Sequence, residues 1–168
     1  ARATGGDLPA PPPQAAAVSA KLAARIRAEI AHDGFMPFPR FMELALYAPG
    51  LGYYSGGSVK LGPEGDFVTA PEISPLFGRA LAAQVAQLVE LDCASVLELG
   101  AGTGRLAADV LETLARSGRL PERYCILEVS AELRGRQLAT LRTRVPALLE
   151  RIVWLDRLPQ RFRGTIVG

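Results

Sequence analysis

The sequence is poor in the residues that usually build metal centres and covalent active sites. Its 168 residues include one histidine, His32, and two cysteines, Cys93 and Cys125, with no Cys-X-X-Cys pair. These absences argue against a zinc site and against a Cys–His nucleophile. We therefore expect no bound metal, and free thiols in a reducing compartment.

The sequence also has little net charge and lacks long apolar runs. The formal net charge is only +2, and Lys21 and Lys60 are the only lysines among 19 basic residues. So small a charge gives no electrostatic basis for binding nucleic acid or an anionic membrane surface. No apolar run is long enough to cross a bilayer, and no secretory signal pattern is visible. We expect neither nucleic acid nor a membrane as a partner.

The N-terminal half predicts helices and a long glycine-rich segment. Residues 1–14 are a Pro/Gly/Ala tail without periodicity, which predicts disorder. An apolar residue at every fourth position then predicts an amphipathic helix ending at Gly34, the residues being Val18, Leu22, Ile26 and Ile30. Residues 39–47 predict a second short helix. Residues 48–73 are rich in glycine and proline, and such long segments inside compact domains are usually functional or mobile.

From Ser74 onward the pattern becomes regular. Ser74 and Pro75 are typical of a helix start, and we predict that this helix buries a stripe made of Phe77, Leu81, Val85 and Leu88. Short apolar segments then alternate with helical ones. Strands are predicted over residues 94–99, 124–128, 151–155 and 164–167, with helices over 105–115 and from Ser130 to Pro146. This order predicts an α/β fold with a parallel sheet and right-handed crossovers.

The glycine-rich turn after the first strand is the strongest functional motif. Glu98-Leu99-Gly100-Ala101-Gly102-Thr103-Gly104 joins a predicted strand to a predicted helix. Glycines there let a ligand approach the backbone, and the helix N-terminus offers unpaired N–H groups. S-adenosylmethionine and the nicotinamide dinucleotides both use this design, so the turn alone indicates only a nucleoside cofactor at Gly100, Ala101, Gly102 and Gly104.

The spacing of the glycines favours S-adenosylmethionine. In the dinucleotide pattern G-X-G-X-X-G the third glycine would fall at Arg105, whereas here it comes one residue earlier. Counting from Gly102 leaves a weak dinucleotide match that ends at Ala107. Glu98 precedes the turn, where we expect its charge to attract the ammonium and sulfonium groups of S-adenosylmethionine and to repel a pyrophosphate.

Two more acidic residues follow the next two strands. Glu128 ends the second strand, where a carboxylate can accept hydrogen bonds from both ribose hydroxyls of either cofactor. Asp156 follows the third strand, at a position suited to the adenine amino group, although a solvated turn residue is an equally good interpretation of it.

Two segments, together with the glycine motif, resemble the MidA-type methyltransferases. These segments are FMELALYAPGLGYY over residues 41–54 and GDFVTAPEIS over residues 65–74. The resemblance runs from about residue 35 to the end, in a family that includes the mitochondrial protein arginine methyltransferase assisting assembly of respiratory complex I. It implies a class I (Rossmann-like) methyltransferase fold with helices on both faces of the sheet, and S-adenosyl-L-methionine as cofactor. It also implies an arginine of a protein as acceptor.

The resemblance further implies a loop over the cofactor that contains Gly65, Asp66, Thr69 and Glu72. In this interpretation Glu72 is the candidate catalytic residue and hydrogen-bonds an acceptor guanidinium. The alternative is that Asp66 and Thr69 only shape the loop and Glu72 supplies negative charge at a helix N-terminus. Location would be the cytoplasm of a bacterium or the mitochondrial matrix of a eukaryote.

The predicted domain organisation follows from these segments. We expect a helical region with the glycine-rich loop over residues 15–92, and the first part of a cofactor-binding sheet domain over 93–168. A class I sheet has seven strands and at most four are predicted here, so the sheet is expected to be incomplete at its C-terminus. The predicted function is methyl transfer from S-adenosylmethionine. The alternatives are a non-catalytic assembly factor on the same scaffold and a nicotinamide-dependent oxidoreductase.

Overall fold

The structure, a computed structural model, describes residues 10–56, 68–91 and 95–168. The chain divides into two compact units, residues 1–56 and 57–168. The helix that starts at Pro75 belongs to the core of the second unit, where Ala82, Val85 and Ala86 are buried.

The first unit contains helices α1 (Pro13–Asp33) and α2 (Phe38–Tyr47). The start of α1 overlaps the predicted disordered tail, and its end is as predicted: Gly34 has φ 81° and donates a 2.8 Å hydrogen bond to the Ile30 carbonyl. Arg40 of α2 donates two hydrogen bonds to Glu29 of α1, at 2.6 and 3.1 Å. This bidentate pair fixes the two helices against each other.

The second unit carries the predicted alternation of strands and helices. Its elements are α3 (Ala70–Ile73), α4 (Pro75–Glu90), β1 (Ser95–Leu99), α5 (Arg105–Arg116), β2 (Arg123–Leu127), α6 (Ala131–Arg144), a 3₁₀ helix (Pro146–Arg151), β3 (Ile152–Leu155) and β4 (Thr165–Val167). Each strand agrees with its predicted range to within one residue at either end. Ser74 caps α4 by accepting a hydrogen bond from the Leu76 N–H at 3.2 Å.

The four strands form one parallel sheet in the order β3-β2-β1-β4. β1 lies between β2 and β4. After β1 the chain adds β2 and β3 on one side of β1, and then crosses back to add β4 on the other side. This reversal of strand order creates a crevice at the carboxyl end of β1, which is where open α/β sheets bind ligands. The glycine turn predicted from the sequence begins at that point.

The core lies on one face of the sheet, beneath α4, α5 and α6. Alternate strand residues point into it, and those buried there are Val96, Tyr124, Ile126 and Ile152. The buried stripe predicted for α4 is partly wrong: Val85 is buried, but Phe77 and Leu88 are exposed. Smaller residues take their place because α4 packs closely on α5, and a Cβ on Gly78 would lie 2.4 Å from the Cβ of Asp109.

Candidate functional site

The glycine turn follows β1 as the sequence predicts. Gly100, Gly102 and Gly104 have φ angles of 68°, 53° and 81°, which is backbone that favours glycine. Ala101 is buried, whereas Gly100 is exposed. Within the part of the chain that the structure describes, and apart from its two chain neighbours, no atom lies within 4 Å of a Cβ built on Gly100. The outer side of the turn is therefore open for a ligand to approach the backbone.

Gly104 has a packing role on the opposite side of the turn. A Cβ there would lie 2.9 Å from the Cα of Gln137 in α6. Real Cβ atoms rarely come so close to backbone, so only glycine fits without a shift of α6. The third glycine of the motif thus brings the turn against α6, and Arg105 begins α5 directly after it.

Two side chains of α6 hold the carbonyls of this turn. Gln137 donates from Nε2 to the Gly102 carbonyl at 3.1 Å, and Thr140 donates from Oγ1 to the Thr103 carbonyl at 2.8 Å. Both bonds lie on the protein side of the turn. They leave the N–H groups at the start of α5 available, because a helix has no internal acceptors for its first N–H groups.

Glu128 lies at the carboxyl end of β2, the strand that neighbours β1. Its side chain is buried, and each carboxylate oxygen accepts one hydrogen bond from the protein. The Ser130 N–H donates to Oε1 at 2.9 Å, and Gln137 Nε2 donates to Oε2 at 3.2 Å. A carboxylate has about four acceptor positions, so two remain for ligand hydroxyls. Gln137 therefore links Glu128 directly to the glycine turn.

Asp156 follows β3 and is 87% exposed at its side chain. Arg134 of α6 pairs with it through Nη1 at 2.9 Å, and also donates to the Glu128 carbonyl at 2.7 Å and the Leu155 carbonyl at 2.6 Å. One guanidinium thus joins the carboxyl ends of β2 and β3 and orients Asp156. The structure places Asp156 at the predicted edge of the sheet.

Glu98 is directed into the interior rather than into the open crevice. It shares a sheet face with Val96, is 2% exposed, and accepts a 2.8 Å hydrogen bond from the Tyr124 hydroxyl. Burial raises the pKa of its carboxyl from 4.5 to about 7, against the lowering effect of the Tyr124 hydrogen bond. Glu98 therefore changes charge near neutral pH, because the core disfavours its ionised form.

Glu72 lies in α3 and reaches the glycine turn. Its side chain is 11% exposed, its Oε1 accepts a 2.5 Å hydrogen bond from Thr103 Oγ1, and its Oε2 lies 3.6 Å from Arg105 Nη1. The structure thus brings Glu72, the candidate contact for the acceptor guanidinium, together with the glycine turn. A cavity of about 470 Å³ opens beside them, lined by Glu72, Pro75, Thr103, Arg105, Asp109, Thr140 and Arg144.

The wall of this cavity contains an ion pair between the half-buried Arg144 and the buried Asp109. Arg144 of α6 donates to Asp109 Oδ1 at 2.7 Å and makes two hydrogen bonds with Glu112, at 2.9 and 2.8 Å. Asp109 is almost fully buried beside Gly78 of α4. Arg144 therefore fixes α6 against α5 through its bonds to Asp109 and Glu112.

The remaining predicted site residues have different outcomes. Thr69 is exposed and serves as the N-cap of α3 through its carbonyl, which accepts from the Glu72 N–H at 2.9 Å. Gly65 and Asp66 lie outside the described residues.

Among residues 10–56, 68–91 and 95–168, no group of three or more His, Cys, Asp or Glu side chains could hold a metal ion. No helix in those ranges has the length and apolar character to span a membrane.

Gln137 is a site residue that was not predicted from the sequence; it is fully buried and contacts two predicted site segments. A signal was present: Leu133, Gln137 and Leu141 are spaced by four residues, and all three are buried on one face of α6. A polar residue on an apolar helical stripe needs hydrogen-bond partners. Here those partners are the turn and Glu128.

Comparisons with known proteins agree with this geometry. The model of methyltransferase family 28, which describes S-adenosyl-L-methionine-dependent methyltransferases, matches residues 76–168. A Drosophila melanogaster relative named protein arginine methyltransferase NDUFAF7 homolog, mitochondrial, is 36% identical over 125 residues. That match covers 68% of this chain and 28% of the relative. The human NDUFAF7 protein is 33% identical over 131 residues, which cover 73% of this chain and 29% of the human protein.

Two crystal structures of COG1565 superfamily proteins from Burkholderia thailandensis are each 52% identical in sequence to this chain. One is bound to S-adenosyl-homocysteine and matches with a TM-score of 0.81 over 96% of this chain and 43% of that chain. The other, a native crystal structure, matches with a TM-score of 0.76 over 96% of this chain and 41% of that chain. This chain thus spans less than half of these structures and less than a third of the curated relatives.

The family match decides between the two cofactors that the glycine motif left open. The described site fits S-adenosyl-L-methionine: the outer side of Gly100 is open, and Glu128 retains acceptor positions beside the turn. The fold predicted from the sequence, a Rossmann-like parallel sheet of the class I methyltransferases, is also confirmed. The chain belongs to the family of S-adenosyl-L-methionine-dependent methyltransferases.

Proposed function

We propose that this chain holds the methyl donor in a protein that methylates an arginine of another protein. The observation that carries the cofactor part is Glu128, whose two carboxylate oxygens are each held by one protein donor beside the glycine turn. The acceptor part is supported by the names of the curated relatives, which are protein arginine methyltransferases.

Glu128 is the proposed ribose-binding residue. Each of its oxygens keeps an acceptor position after the bonds from Ser130 and Gln137. Two adjacent ribose hydroxyls can therefore donate to one carboxylate, and these bonds are charge-assisted. Because the carboxylate is already held by the protein, little side-chain entropy is lost when the ribose binds.

The glycine turn and Glu98 are proposed to hold the methionine end of the cofactor. Gly100, Ala101, Gly102 and Gly104 offer backbone rather than side chains at the carboxyl end of β1, which permits close approach. Glu98 lies behind the turn in the core, so it would act through its negative charge rather than by direct contact. A cationic group nearby would favour the ionised form of its carboxyl.

Asp156 and the segment around Thr69 complete the proposed cofactor site. Asp156 is exposed at the carboxyl end of β3, and Arg134 orients it toward the edge where an adenine amino group would be bound. Gly65, Asp66 and Thr69 remain proposed as part of a loop over the cofactor. Their contribution would be to exclude water from the sulfonium centre.

Glu72 is the proposed contact for the acceptor guanidinium. Its Oε2 lies 3.6 Å from Arg105, which is longer than a good charge-assisted hydrogen bond. An acceptor guanidinium at hydrogen-bond distance could take the place of Arg105 at this oxygen. Thr103 holds the other oxygen, so Glu72 would keep its position during the exchange.

The chain's own contribution to the reaction is to bind and orient both reactants. S-adenosylmethionine supplies a methyl group bonded to a positively charged sulfur, which is open to attack by a nucleophile. The glycine turn and Glu128 would fix the orientation of S-adenosylmethionine, and Glu72 would hold the guanidinium nitrogen that accepts the methyl group. Such positioning can lower the barrier by several kcal/mol without any covalent intermediate.

Two measurements on the natural full-length protein test this proposal. Calorimetry should detect S-adenosylmethionine and S-adenosylhomocysteine but not NAD, and Glu128→Ala should weaken S-adenosylmethionine at least about tenfold, or about 1.4 kcal/mol. An unchanged affinity would refute the ribose assignment. Transfer of a labelled methyl group to protein arginine tests the acceptor. Cofactor binding without any transfer would instead identify a non-catalytic assembly factor.

The proposed location is the cytoplasm of a bacterium, since the two crystal structures come from Burkholderia thailandensis. In a eukaryote it would be the mitochondrial matrix, as the names of the curated relatives include the word mitochondrial. Fractionation of the source cells with an antibody to this protein tests the location directly.

A further inference from the structure

Gln137 makes hydrogen bonds through both polar atoms of its side-chain amide. It is fully buried in α6, on the stripe it shares with Leu133 and Leu141. A buried amide is costly unless its donors and acceptor are all satisfied. Three bonds satisfy it: Nε2 donates to the Gly102 carbonyl and to Glu128 Oε2, and Oε1 accepts from Trp154 Nε1 at 2.9 Å.

The orientation of this amide is fixed by its partners. The indole of Trp154 can only donate, so it has to face the amide oxygen of Gln137. The amide nitrogen must then face Gly102 and Glu128, and both of these offer only acceptors. A rotated amide would place an N–H against an N–H and an oxygen against a carboxylate. The network therefore admits one arrangement.

We propose that Gln137 is a positioning residue that holds Glu128 and the glycine turn at a fixed separation, so that one cofactor can contact both. The inference rests on the proposed role of Glu128 in binding the ribose. Gln137 bonds to the side of Glu128 and to the side of the turn that face α6. It does not occupy the open side of Gly100, where the ligand would lie.

The chemistry explains why the amide suits this position. A methionine would leave the Gly102 carbonyl and the Glu128 oxygen without their donor. A glutamate would place a second carboxylate beside Glu128 and repel it. Glutamine supplies two donors and one acceptor from a single planar group, which matches the two acceptors and one donor around it.

The test is a double-mutant cycle in the natural full-length protein, with S-adenosylhomocysteine as the ligand and its dissociation constant measured by calorimetry. Gln137→Met should weaken binding about tenfold, in line with the loss of two donors to a ligand-holding carboxylate and turn. In the Glu128→Ala background the same change should weaken binding less than about threefold, because the residue through which it acts is gone. Thr143→Val is the control, since Thr143 is exposed on the same helix and its hydroxyl donates to the Ala139 carbonyl, away from Glu128 and the glycine turn.

A second ligand separates positioning from a general loss of structure. The second ligand is an S-adenosylhomocysteine analogue without the two ribose hydroxyls. The loss of affinity caused by Gln137→Met should be markedly smaller for this analogue than for S-adenosylhomocysteine itself. Equal losses for both ligands, or effects that multiply in the double variant, would overturn the proposal. If Glu128→Ala alone leaves the affinity unchanged, the ribose assignment itself fails and the positioning role fails with it.

Trp154→Phe keeps the experiment informative if Gln137→Met does not fold. It removes the donor that fixes the amide while leaving Gln137 and Glu128 in place. We expect a smaller loss of affinity that again depends on the ribose hydroxyls. An unchanged affinity, with the fold intact by circular dichroism, would contradict the proposed role of the network.

Discussion

The hydroxyl of Tyr124 donates a 2.8 Å hydrogen bond to Glu98 Oε2 inside the core of the sheet domain. Burial raises the pKa of Glu98 to about 7, and it also raises the pKa of Tyr124 far above its ordinary value. Near neutral pH the pair therefore gains or loses its charge through Glu98, which lies two residues before Gly100.

The first prediction concerns stability against pH. The pKa of Glu98 is higher in the folded protein than its ordinary 4.5, so the folded state binds the proton more tightly. The stability this contributes is fully present below pH 4.5 and is lost as pH rises through about 7. Glu98→Gln should raise the free energy of unfolding at pH 8 by up to about 3 kcal/mol, and change it little at pH 4.5. Urea unfolding at both pH values measures this, and an equal difference at the two would contradict the prediction.

The second prediction concerns the third glycine of the motif. Gly104→Ala introduces a Cβ at positive φ and 2.9 Å from the Cα of Gln137, so it should cost about 2–5 kcal/mol in unfolding free energy. Gly118→Ala is the matched control. Gly118 has φ 69° but no atom within 4 Å of its Cβ position, so only the backbone strain of about 1–2 kcal/mol applies. Similar costs for the two variants would contradict the close approach to α6.

The third prediction concerns the ion pair between Arg144 and the buried Asp109 in the wall of the cavity. Arg144→Met leaves the buried Asp109 carboxylate without its cation and should lower the free energy of unfolding by about 3 kcal/mol. Arg136→Met is the control on the same helix, where Arg136 pairs with Glu132 four residues earlier. That pair is closer to the surface and should contribute only about 0.3–0.5 kcal/mol. Equal effects in urea unfolding would show that Asp109 is solvated in the native protein.

The fourth prediction concerns the thiol of Cys125. Burial raises its pKa, and its residue is 9% exposed, so little reactive thiolate is available. We expect the peptide that contains Cys125 to be alkylated by iodoacetamide far more slowly in the native protein than in guanidinium chloride. Mass spectrometry of digested samples measures both rates. Rapid native labelling would mean that this part of β2 opens readily.

The strands and most helix ends could be predicted from the sequence because their signals are local. Ser74 and Ser130 each cap a helix by accepting a backbone N–H, from Leu76 and Leu133 respectively. The apolar segments between them form the four strands at the predicted places. Parallel pairing then follows from the alternation of strands with helices.

Features that depend on a distant partner could not be predicted in the same way. The buried face of α4 turned toward Ala82 and Ala86 because Gly78 permits close packing on Asp109, which lies in another helix. The direction of Glu98 also depends on its neighbours. Glu98 and Val96 are two residues apart, so their side chains lie on the same face of β1. The sequence does not show that Tyr124 from the neighbouring strand covers Glu98 on this face.

Within the site, residue types were easier to predict than their connections. Gly100 to Gly104 and Glu128 were visible as a motif and as an acid at a strand end. The bond from Thr103 to Glu72 and the bond from Gln137 to Gly102 join residues that are 31 and 35 positions apart in sequence. The bonds of Gln137 to Trp154 and Glu128 span 17 and 9 positions and also join different elements. No local pattern specifies such bonds, although a glutamine on an apolar stripe signals that partners exist.

The pairing of β4 with β1 has a consequence for synthesis on the ribosome. Val96 pairs with Thr165, which lies 69 positions later in the chain. At roughly 5–20 residues per second, the β4 edge of β1 stays without its partner for roughly 3–14 s after β1 has been made. During that interval an apolar parallel strand has an open edge, which is a site for association with other nascent chains. A chaperone that binds exposed strands at the tunnel exit would therefore be expected to engage this polypeptide before β4 emerges.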